Sequence, residues 1–254
     1  MELEKNKIAL VCIADKKYLA YAKVLLKSLK KSKNDFDIHI CLINISKKAI
    51  TRKSLELINA NVNIKFLDKK FRRNWLKKAF CANHRAEYIN EILQYNYDGI
   101  IYADVDSIFR RSISIDKIIS TTADIKIHFR DQNKSNDNRF KIAAGVIFIK
   151  NSINAKKFVR TWAENIKSRK LDWFADQIMF YKTYEQLNTS VKIEHLSNEF
   201  IDWEFKKNSV IWAGKGKRKK YNLIYNLESL KLRFTNPVAQ KIITYLENHY
   251  WMKY

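Results

Sequence analysis

The sequence is poor in the residues that mark several classes of protein. Of 254 residues only four are glycine and one is proline, which excludes a collagen-like chain and a Gly/Pro-rich linker. The three cysteines, Cys12, Cys41 and Cys81, are odd in number and form no C-x-x-C motif. They therefore indicate neither a disulfide framework nor a zinc knuckle. Because Cys12 and Cys41 lie in apolar runs, we expect both to be small core residues.

Long apolar runs are also absent. After an N-terminus of mixed charge, the first apolar run extends only from Ile8 to Ala14. That run is too short for a membrane-spanning helix, and no small-residue cleavage site of a signal peptide follows it. Elsewhere the longest stretches, such as Ala143 to Ile149, have the length of a strand. These absences predict a cytoplasmic protein.

Positive charge is what the sequence has in excess. The 49 Lys and Arg against 26 Asp and Glu give a formal net charge of +23. The densest basic patch consists of Lys215, Lys217, Arg218, Lys219 and Lys220. Such charge is typical of nucleic-acid-binding proteins and of enzymes that bind anionic lipid. A third explanation is a Lys-rich solvated surface that binds no partner. With 46% hydrophobic residues, a disordered chain is excluded.

The first half of the chain alternates between strand and helix patterns. Short apolar, partly β-branched runs predict strands at Ile8–Ala14, Asp37–Ile43, Val62–Leu67 and Gly99–Ala103. Apolar residues at three- and four-residue spacing predict helices over Tyr18–Leu29, Lys47–Ile58 and Ala82–Leu93. This alternation favours an α/β fold, with a mostly parallel sheet covered by helices on both faces. Ligands bind beyond the carboxyl ends of such strands, which directs attention to Asp15 and to Asp104–Asp106.

The second half is less regular. Its patterns predict strands at Ile125–Phe129 and Ile142–Ile149, and helices over Ala155–Ile166, Phe174–Tyr184 and Val238–His249. The sequence contains no internal repeat and no interior linker. We therefore predict one domain over residues 1–214, with a basic helical C-terminal extension over residues 215–254 packed on it.

Two carboxylates follow the fourth predicted strand, in Tyr102-Ala103-Asp104-Val105-Asp106. Hard divalent cations such as Mg²⁺ and Mn²⁺ bind carboxylate and phosphate oxygens, so two acids at a strand end suit a metal–diphosphate pair. Alone, such a tripeptide also occurs in solvated turns. A strand with a buried body rarely ends in two acids without a partner, and we predict that Asp104 and Asp106 bind Mn²⁺ or Mg²⁺.

Four stretches carry a family resemblance. Cys81–Tyr88, Ile100–Asp106, Ala143–Asn151 and Asp172–Gln177 resemble, in the same order, the nucleotide-sugar glycosyltransferases of the GT-A fold, above all the family-8-like retaining enzymes. Four landmarks in order are far more specific than any one of them. The resemblance implies a GT-A-like fold, a nucleotide-diphosphate sugar as donor (most often a uridine diphosphate sugar) and retention of configuration at the anomeric carbon.

The resemblance also implies which residues bind the donor. They are Ala14, Asp15, Arg85, Asp104, Val105, Ala144, Gly145, Gly214 and Lys217. The end of the first strand would hold the base or ribose, and Asp106 would join the metal to the diphosphate. Arg85 would add fixed positive charge, although the same residue type also forms ordinary surface ion pairs. Ala144 and Gly145 would let the sugar approach the backbone, or are simply close-packed core.

The catalytic pair implied by the resemblance is Asp176 and Gln177, which would lie beside the anomeric carbon of the donor sugar. An aspartate at this place also suits the capping of a helix. One feature departs from the family pattern His-x-x-Gly-x-x-Lys, since Ile211 stands where a third metal ligand would be. Either the metal is held by two aspartates, diphosphate and water, or the segment aligns differently. His195 is the nearest other imidazole upstream, in surroundings typical of a structural histidine.

Together these features predict a metal-assisted glycosyltransferase that acts on a glycan or glycolipid acceptor, in the synthesis of a bacterial surface polysaccharide or lipopolysaccharide. The terminal aromatics Tyr245, Tyr250, Trp251 and Tyr254 suit an anionic lipid interface at the inner face of a membrane, or else a packed terminal helix.

Two alternatives remain open. A nucleotidyltransferase of similar fold would need a glycine-rich loop after the first strand, and Asp15-Lys16-Lys17-Tyr18 has no glycine. A non-enzymatic nucleic-acid-binding protein would interleave aromatics with its basic cluster or carry a recognition motif, and we find neither.

Overall fold

A computed structural model describes residues 7–47, 61–114, 116–119, 121–130, 137–214, 216–234 and 240–246. The strands are β1 (Ile8–Asp15), β2 (Asp37–Ile43), β3 (Val62–Leu67), β4 (Gly99–Ala103), β5 (Ile108–Phe109), β6 (Ile125–Phe129), β7 (Ile142–Lys150), β8 (Ile193–His195) and β9 (Ile211–Trp212). The helices are α1 (Leu19–Lys31), α2 (Asn74–Ile92), α3 (Asp116–Ile119), α4 (Ile153–Lys167), α5 (Ala175–Leu187), α6 (Gly216–Tyr221) and α7 (Leu223–Arg233). Single 3₁₀ turns cover Lys16–Tyr18, Asn138–Phe140 and Asn198–Phe200.

Seven strands form one sheet in the order β3-β2-β1-β4-β7-β6-β8. Strand β7 runs antiparallel to both neighbours, while the other neighbouring pairs are parallel. Six strands therefore point the same way, and the predicted mostly parallel α/β sheet is confirmed. All eight residues of β1 are buried, as expected for a strand whose two faces are both covered.

The core lies on both faces of the sheet. Alternate residues of a strand point to opposite faces, so Leu10 and Cys12 pack with Leu25 of α1 on one face. Val11 packs on the other face, where Trp162 of α4 belongs to the same cluster. Helices α2, α4 and α5 contact one another on this second face. The predicted covering of both faces and the core position of Cys12 are confirmed, and Cys41 is also fully buried.

The helix predictions differ from the structure mainly at their ends. Helix α2 begins at Asn74, eight residues before the predicted start. The sequence pattern does not predict these first turns, because they are half exposed and carry little apolar periodicity. The predicted helix over Lys47–Ile58 lies outside the described residues except for Lys47. Of the predicted helix over Val238–His249, residues 240–246 are described and helical.

The C-terminal helices pack on α1 through an apolar cluster and a buried acid. Val24 of α1, Trp212 and Tyr225 belong to one cluster. Glu228 of α7 is 2% exposed and forms ion pairs with Lys31 and Arg110, at 2.7 and 2.8 Å. Among the described helices none is both long and apolar enough to cross a bilayer.

Candidate active site

A cavity of about 510 Å³ opens at the carboxyl ends of β1 and β4, where ligands bind in sheets of this kind. Most residues predicted to form the site line it: Asp15, Arg85, Asp104, Val105, Asp106, Ala144, Gly145, Asp176, Gln177 and Gly214. Ala14 does not, because its methyl group belongs to the core beside Leu10 and Cys12. Lys215 and the side chain of Lys217 lie outside the described residues. Lys219 also lines the cavity. Residues on both sides of the predicted domain boundary between positions 214 and 215 therefore contribute to the cavity.

Asp104 is held at the end of β4 by the neighbouring strand β7. Its backbone N–H donates to the carbonyl of Gly145 at 2.8 Å, and Tyr102 donates its hydroxyl to Asp104 Oδ1 at 3.0 Å. A Cβ built on Gly145 would lie 3.2 Å from Asp104 Oδ2. The carboxylate therefore occupies space that any other residue at 145 would partly fill. The Asp104 side chain is 37% exposed and faces the cavity.

Arg85 of α2 joins three parts of the site. Its Nη2 lies 3.5 Å from Asp104 Oδ1 and its Nε 3.2 Å from Asp176 Oδ2, while Nη1 donates to the carbonyl of Ala144. The guanidinium also lies 4.9 Å from the ring centre of Tyr102. Burial lowers the pKa of Arg85, but Tyr102 and the two aspartates outweigh it and raise the pKa above its ordinary value. Arg85 is thus an ion-paired residue inside the cavity wall with a permanent charge.

Asp176 lies in the first turn of α5 and is 1% exposed. Its N–H donates to Asn83 Oδ1 at 2.9 Å, and Trp162 Nε1 donates to its carbonyl at 2.8 Å. The carboxylate does not cap the helix, because the N-cap position is held by Phe174 and no side chain forms a capping hydrogen bond there. Within the described residues its oxygens have the ion pair to Arg85 but no well-aligned hydrogen bond. Burial raises the pKa of Asp176 to about 6.

Gln177 is joined to a residue that sequence reasoning missed. Arg130 donates from Nη2 to Gln177 Oε1 at 3.3 Å, and its guanidinium lies 5.7 Å from the ring of Trp203. Burial lowers the pKa of Arg130, although an arginine stays charged near neutral pH. Arg130 and Trp203 both line the cavity. No sequence signal singled them out, since each is isolated in an irregular segment.

Asp106 is buried against the C-terminal part of the chain. Its Oδ2 forms an ion pair with Lys219 of α6, and its carbonyl accepts the hydroxyl of Tyr225 at 2.7 Å. A Cβ on Gly214 would lie only 2.5 Å from that carbonyl oxygen. Glycine is therefore required at position 214 for the backbone to lie this close to Asp106. Burial raises the pKa of Asp106, and the Lys219 ammonium opposes this shift.

Asp15 combines a local structural role with a place in the cavity wall. Its Oδ1 accepts the N–H groups of Lys17 and Tyr18 at 2.9 and 3.2 Å, which caps the 3₁₀ turn after β1. Its Oδ2 lies 3.0 Å from Lys77 Nζ. The basic side chains that line the cavity are Lys17, Lys78, Arg85, Arg130 and Lys219. This arrangement suits a polyanionic ligand such as a diphosphate.

The donor set for the predicted divalent cation is small. It consists of Asp104 and Asp106, and Asp106 already contacts the Lys219 ammonium. Ile211 is fully buried in β9, and His195 accepts the N–H of Phe129 at 3.3 Å outside the cavity. Among the described residues no group of three His, Cys, Asp or Glu could hold a metal. While Lys219 forms its ion pair with Asp106, these residues do not fit a resident divalent ion. The binding of Mn²⁺ or Mg²⁺ stays a prediction.

Comparison with known proteins places this site in a family. Residues 44–226, more than half of the chain, match the model of the family described as nucleotide-diphospho-sugar transferase. The chain belongs to the nucleotide-diphospho-sugar transferase family. No curated protein matches the sequence.

Two solved glycosyltransferase structures have a similar fold. The apo structure of the WbbM bifunctional glycosyltransferase superposes with a TM-score of 0.64 at 14% identity, over 97% of this chain and 52% of that one. The glycosyltransferase GlyE of Streptococcus pneumoniae TIGR4 gives a TM-score of 0.55 at 12% identity, over 98% and 64%. The predicted GT-A-like fold is confirmed. This chain spans about half to two thirds of the length of these structures. Membership in family 8 and retention of configuration stay predictions.

Proposed function

We propose that this protein is a glycosyltransferase that binds a nucleotide-diphosphate sugar in the 510 Å³ cavity and transfers the sugar to a hydroxyl of a glycan or glycolipid acceptor. The family assignment supports a nucleotide-sugar donor. The observation that carries the proposal is the meeting of Arg85, Asp104 and Asp176 in one cavity wall, from three separate elements. A uridine diphosphate donor and retention of configuration rest on the resemblance of the motifs alone.

The chemistry of the proposed step is a substitution at the anomeric carbon. Its bond to the diphosphate oxygen breaks and a bond to the acceptor oxygen forms, while the acceptor proton passes to the leaving diphosphate. The sugar becomes positively charged and the leaving group gathers negative charge, so fixed cations near the diphosphate lower the barrier. Arg85 and Lys219 are buried cations in the wall. Ionised Asp176 and the amide oxygen of Gln177 would stabilise the sugar.

The acceptor side of the proposal includes an anionic lipid surface. The C-terminal helices expose large apolar side chains, with Tyr221 72%, Leu223 56% and Tyr245 70% exposed, and they also carry exposed basic residues such as Arg218 and Lys220. Helices that expose both apolar and basic side chains bind anionic membranes. Of the four predicted interfacial aromatics, Tyr250, Trp251 and Tyr254 lie outside the described residues.

The test uses nucleotide binding and transfer together. Titration calorimetry with uridine and guanosine diphosphates, in Mn²⁺ and in chelator, is expected to detect binding of at least one nucleotide. Gln177→Leu is expected to keep that binding and to lower release of the diphosphate from the matching sugar donor at least tenfold. Gln186→Leu, an exposed position on the same helix, is the control and should retain activity. Binding of neither nucleotide in either condition would overturn the proposal.

A further inference from the structure

Lys219 and Asp106 form an ion pair between parts of the chain 113 residues apart. Lys219 is 8% exposed and Asp106 is 7% exposed, yet both line the cavity. Burying two charges is costly unless their geometry and hydrogen bonds compensate. Asp106 is expected to bind a metal, yet it forms a buried ion pair in the cavity wall. This ion pair therefore needs an explanation.

The surroundings of Lys219 hold its ammonium in place. The nitrogen lies 4.8 Å from the ring centre of Tyr18 and 4.7 Å from that of Tyr21, and aromatic faces attract cations. The nitrogen is thus a positioned positive charge with three N–H donors, of which Asp106 Oδ2 accepts one.

The partner acid is equally constrained. Gly214 passes so close that a Cβ would lie 2.8 Å from the Asp106 carboxyl carbon, and Tyr225 binds the Asp106 carbonyl. Asp106 is therefore enclosed by Gly214, Lys219 and Tyr225, all from the C-terminal part of the chain. Asp104 differs, since its side chain is 37% exposed and open to the cavity.

We propose that Lys219 is the resident cation of this donor site, so that its ammonium binds the donor diphosphate and nucleotide binding needs no divalent metal. The inference rests on the proposed function, because it assigns the diphosphate of that donor as the ligand. Lysine is a common phosphate ligand, acting as a point charge. Asp106 then positions the lysine, and Arg85 supplies a second positive charge nearby.

The experiment measures binding of uridine and guanosine diphosphates by calorimetry, in chelator and in Mn²⁺. In chelator, the wild-type protein is expected to bind its nucleotide with an affinity within about threefold of that in Mn²⁺. Lys219→Gln is expected to lose at least tenfold in chelator and to recover part of the loss in Mn²⁺, because Asp106 is then free to bind the metal. Lys220→Gln, an exposed lysine on the same helix, is the matched control and should bind like the wild type.

Lys219→Gln leaves a buried carboxylate without its partner and can impair folding. The double variant Asp106→Asn/Lys219→Gln removes both charges, and thermal unfolding followed by circular dichroism checks that it folds. It should lose the same affinity in chelator but recover none in Mn²⁺. Wild-type binding only in Mn²⁺, or undiminished binding by either Lys219 variant in chelator, would overturn the inference and leave the proposed function intact. Absence of binding in both conditions would instead contradict the proposed function.

Discussion

The cavity has two walls that are built in different ways. The sheet-side wall, formed by Arg85, Asp104 and Gly145, stands on buried strands and on α2, whose positions follow from apolar packing. The C-terminal wall, formed by Gly214, Gly216 and Lys219, includes the six-residue helix α6 and contacts the rest of the site through the ion pair of Lys219 with Asp106. The two aspartates of one short motif thus have unlike surroundings, and neighbouring positions in a motif need not have the same role.

The largest expected effect concerns the sheet-side wall. Arg85→Met removes the cation that contacts the buried Asp176 and the nearby Asp104. Removing one partner of a buried ion pair costs about 3–5 kcal/mol, so we expect a loss of roughly that size in the free energy of unfolding by urea. Arg72→Met, at an exposed position before the same helix, should change it little. Equal stability of the two variants would show that the sheet-side wall does not depend on this charge.

Asp176→Asn is expected to gain stability relative to the wild type as the pH rises from about 4 to about 6. The folded protein raises the pKa of Asp176 from 3.8 to about 6, so its ionisation disfavours folding by about 3 kcal/mol at most. Between about pH 4 and pH 6 the unfolded chain releases this proton while the folded chain retains it. Asp176 therefore lowers wild-type stability as the pH rises through that range.

The measurement is the melting temperature of both proteins from pH 4 to pH 7. The melting temperature of the Asn variant relative to the wild type should rise between pH 4 and about pH 6 and stay constant above it. A difference that does not change with pH would contradict the raised pKa of Asp176.

The C-terminal wall is tested by Gly214→Ala. The added Cβ would lie 2.5 Å from a backbone oxygen of Asp106, which cannot move without shifting the chain. Overpacking of this kind costs about 1–3 kcal/mol, and we expect that loss in urea unfolding together with weaker nucleotide binding in calorimetry. Unchanged stability and binding would mean that this segment moves freely.

Gly145→Ala is the matched change in the sheet-side wall and the smallest expected effect. Its Cβ would lie 3.2 Å from Asp104 Oδ2, the tip of a partly exposed side chain that can move by a few tenths of an ångström. We expect a loss of less than about 1 kcal/mol in urea unfolding, within the usual range for small changes. A loss as large as that of Gly214→Ala would remove the distinction between the two walls.

Sequence reasoning predicted most of the sheet-side wall because its signals are local. The burial of β4 and the two acids after it are visible in seven consecutive residues, and parallel strands bring their carboxyl ends to one edge. Arg85 and Asp176 were recognised through motifs, but their contact was not. That contact depends on α2 and α5 packing together on one face of the sheet.

The same reasoning missed the residues that complete the cavity. Lys219 was seen only as one of five members of a basic patch, and Arg130 and Trp203 had no pattern of their own. Within the patch, no local feature distinguishes the buried Lys219 from the exposed Lys220. Only the rotation of α6 against Tyr18 and Tyr21 separates them.

The amino-acid sequence by itself determined the α/β fold, the placement of the acid pair after a buried strand and the excess of positive charge, because apolar periodicity and composition depend on neighbouring residues. The tertiary structure alone decided which lysine faces which aspartate and which of the two acids stays open to the cavity. Those choices depend on packing between segments more than one hundred residues apart, and charge–charge contacts at that separation leave no trace in local sequence.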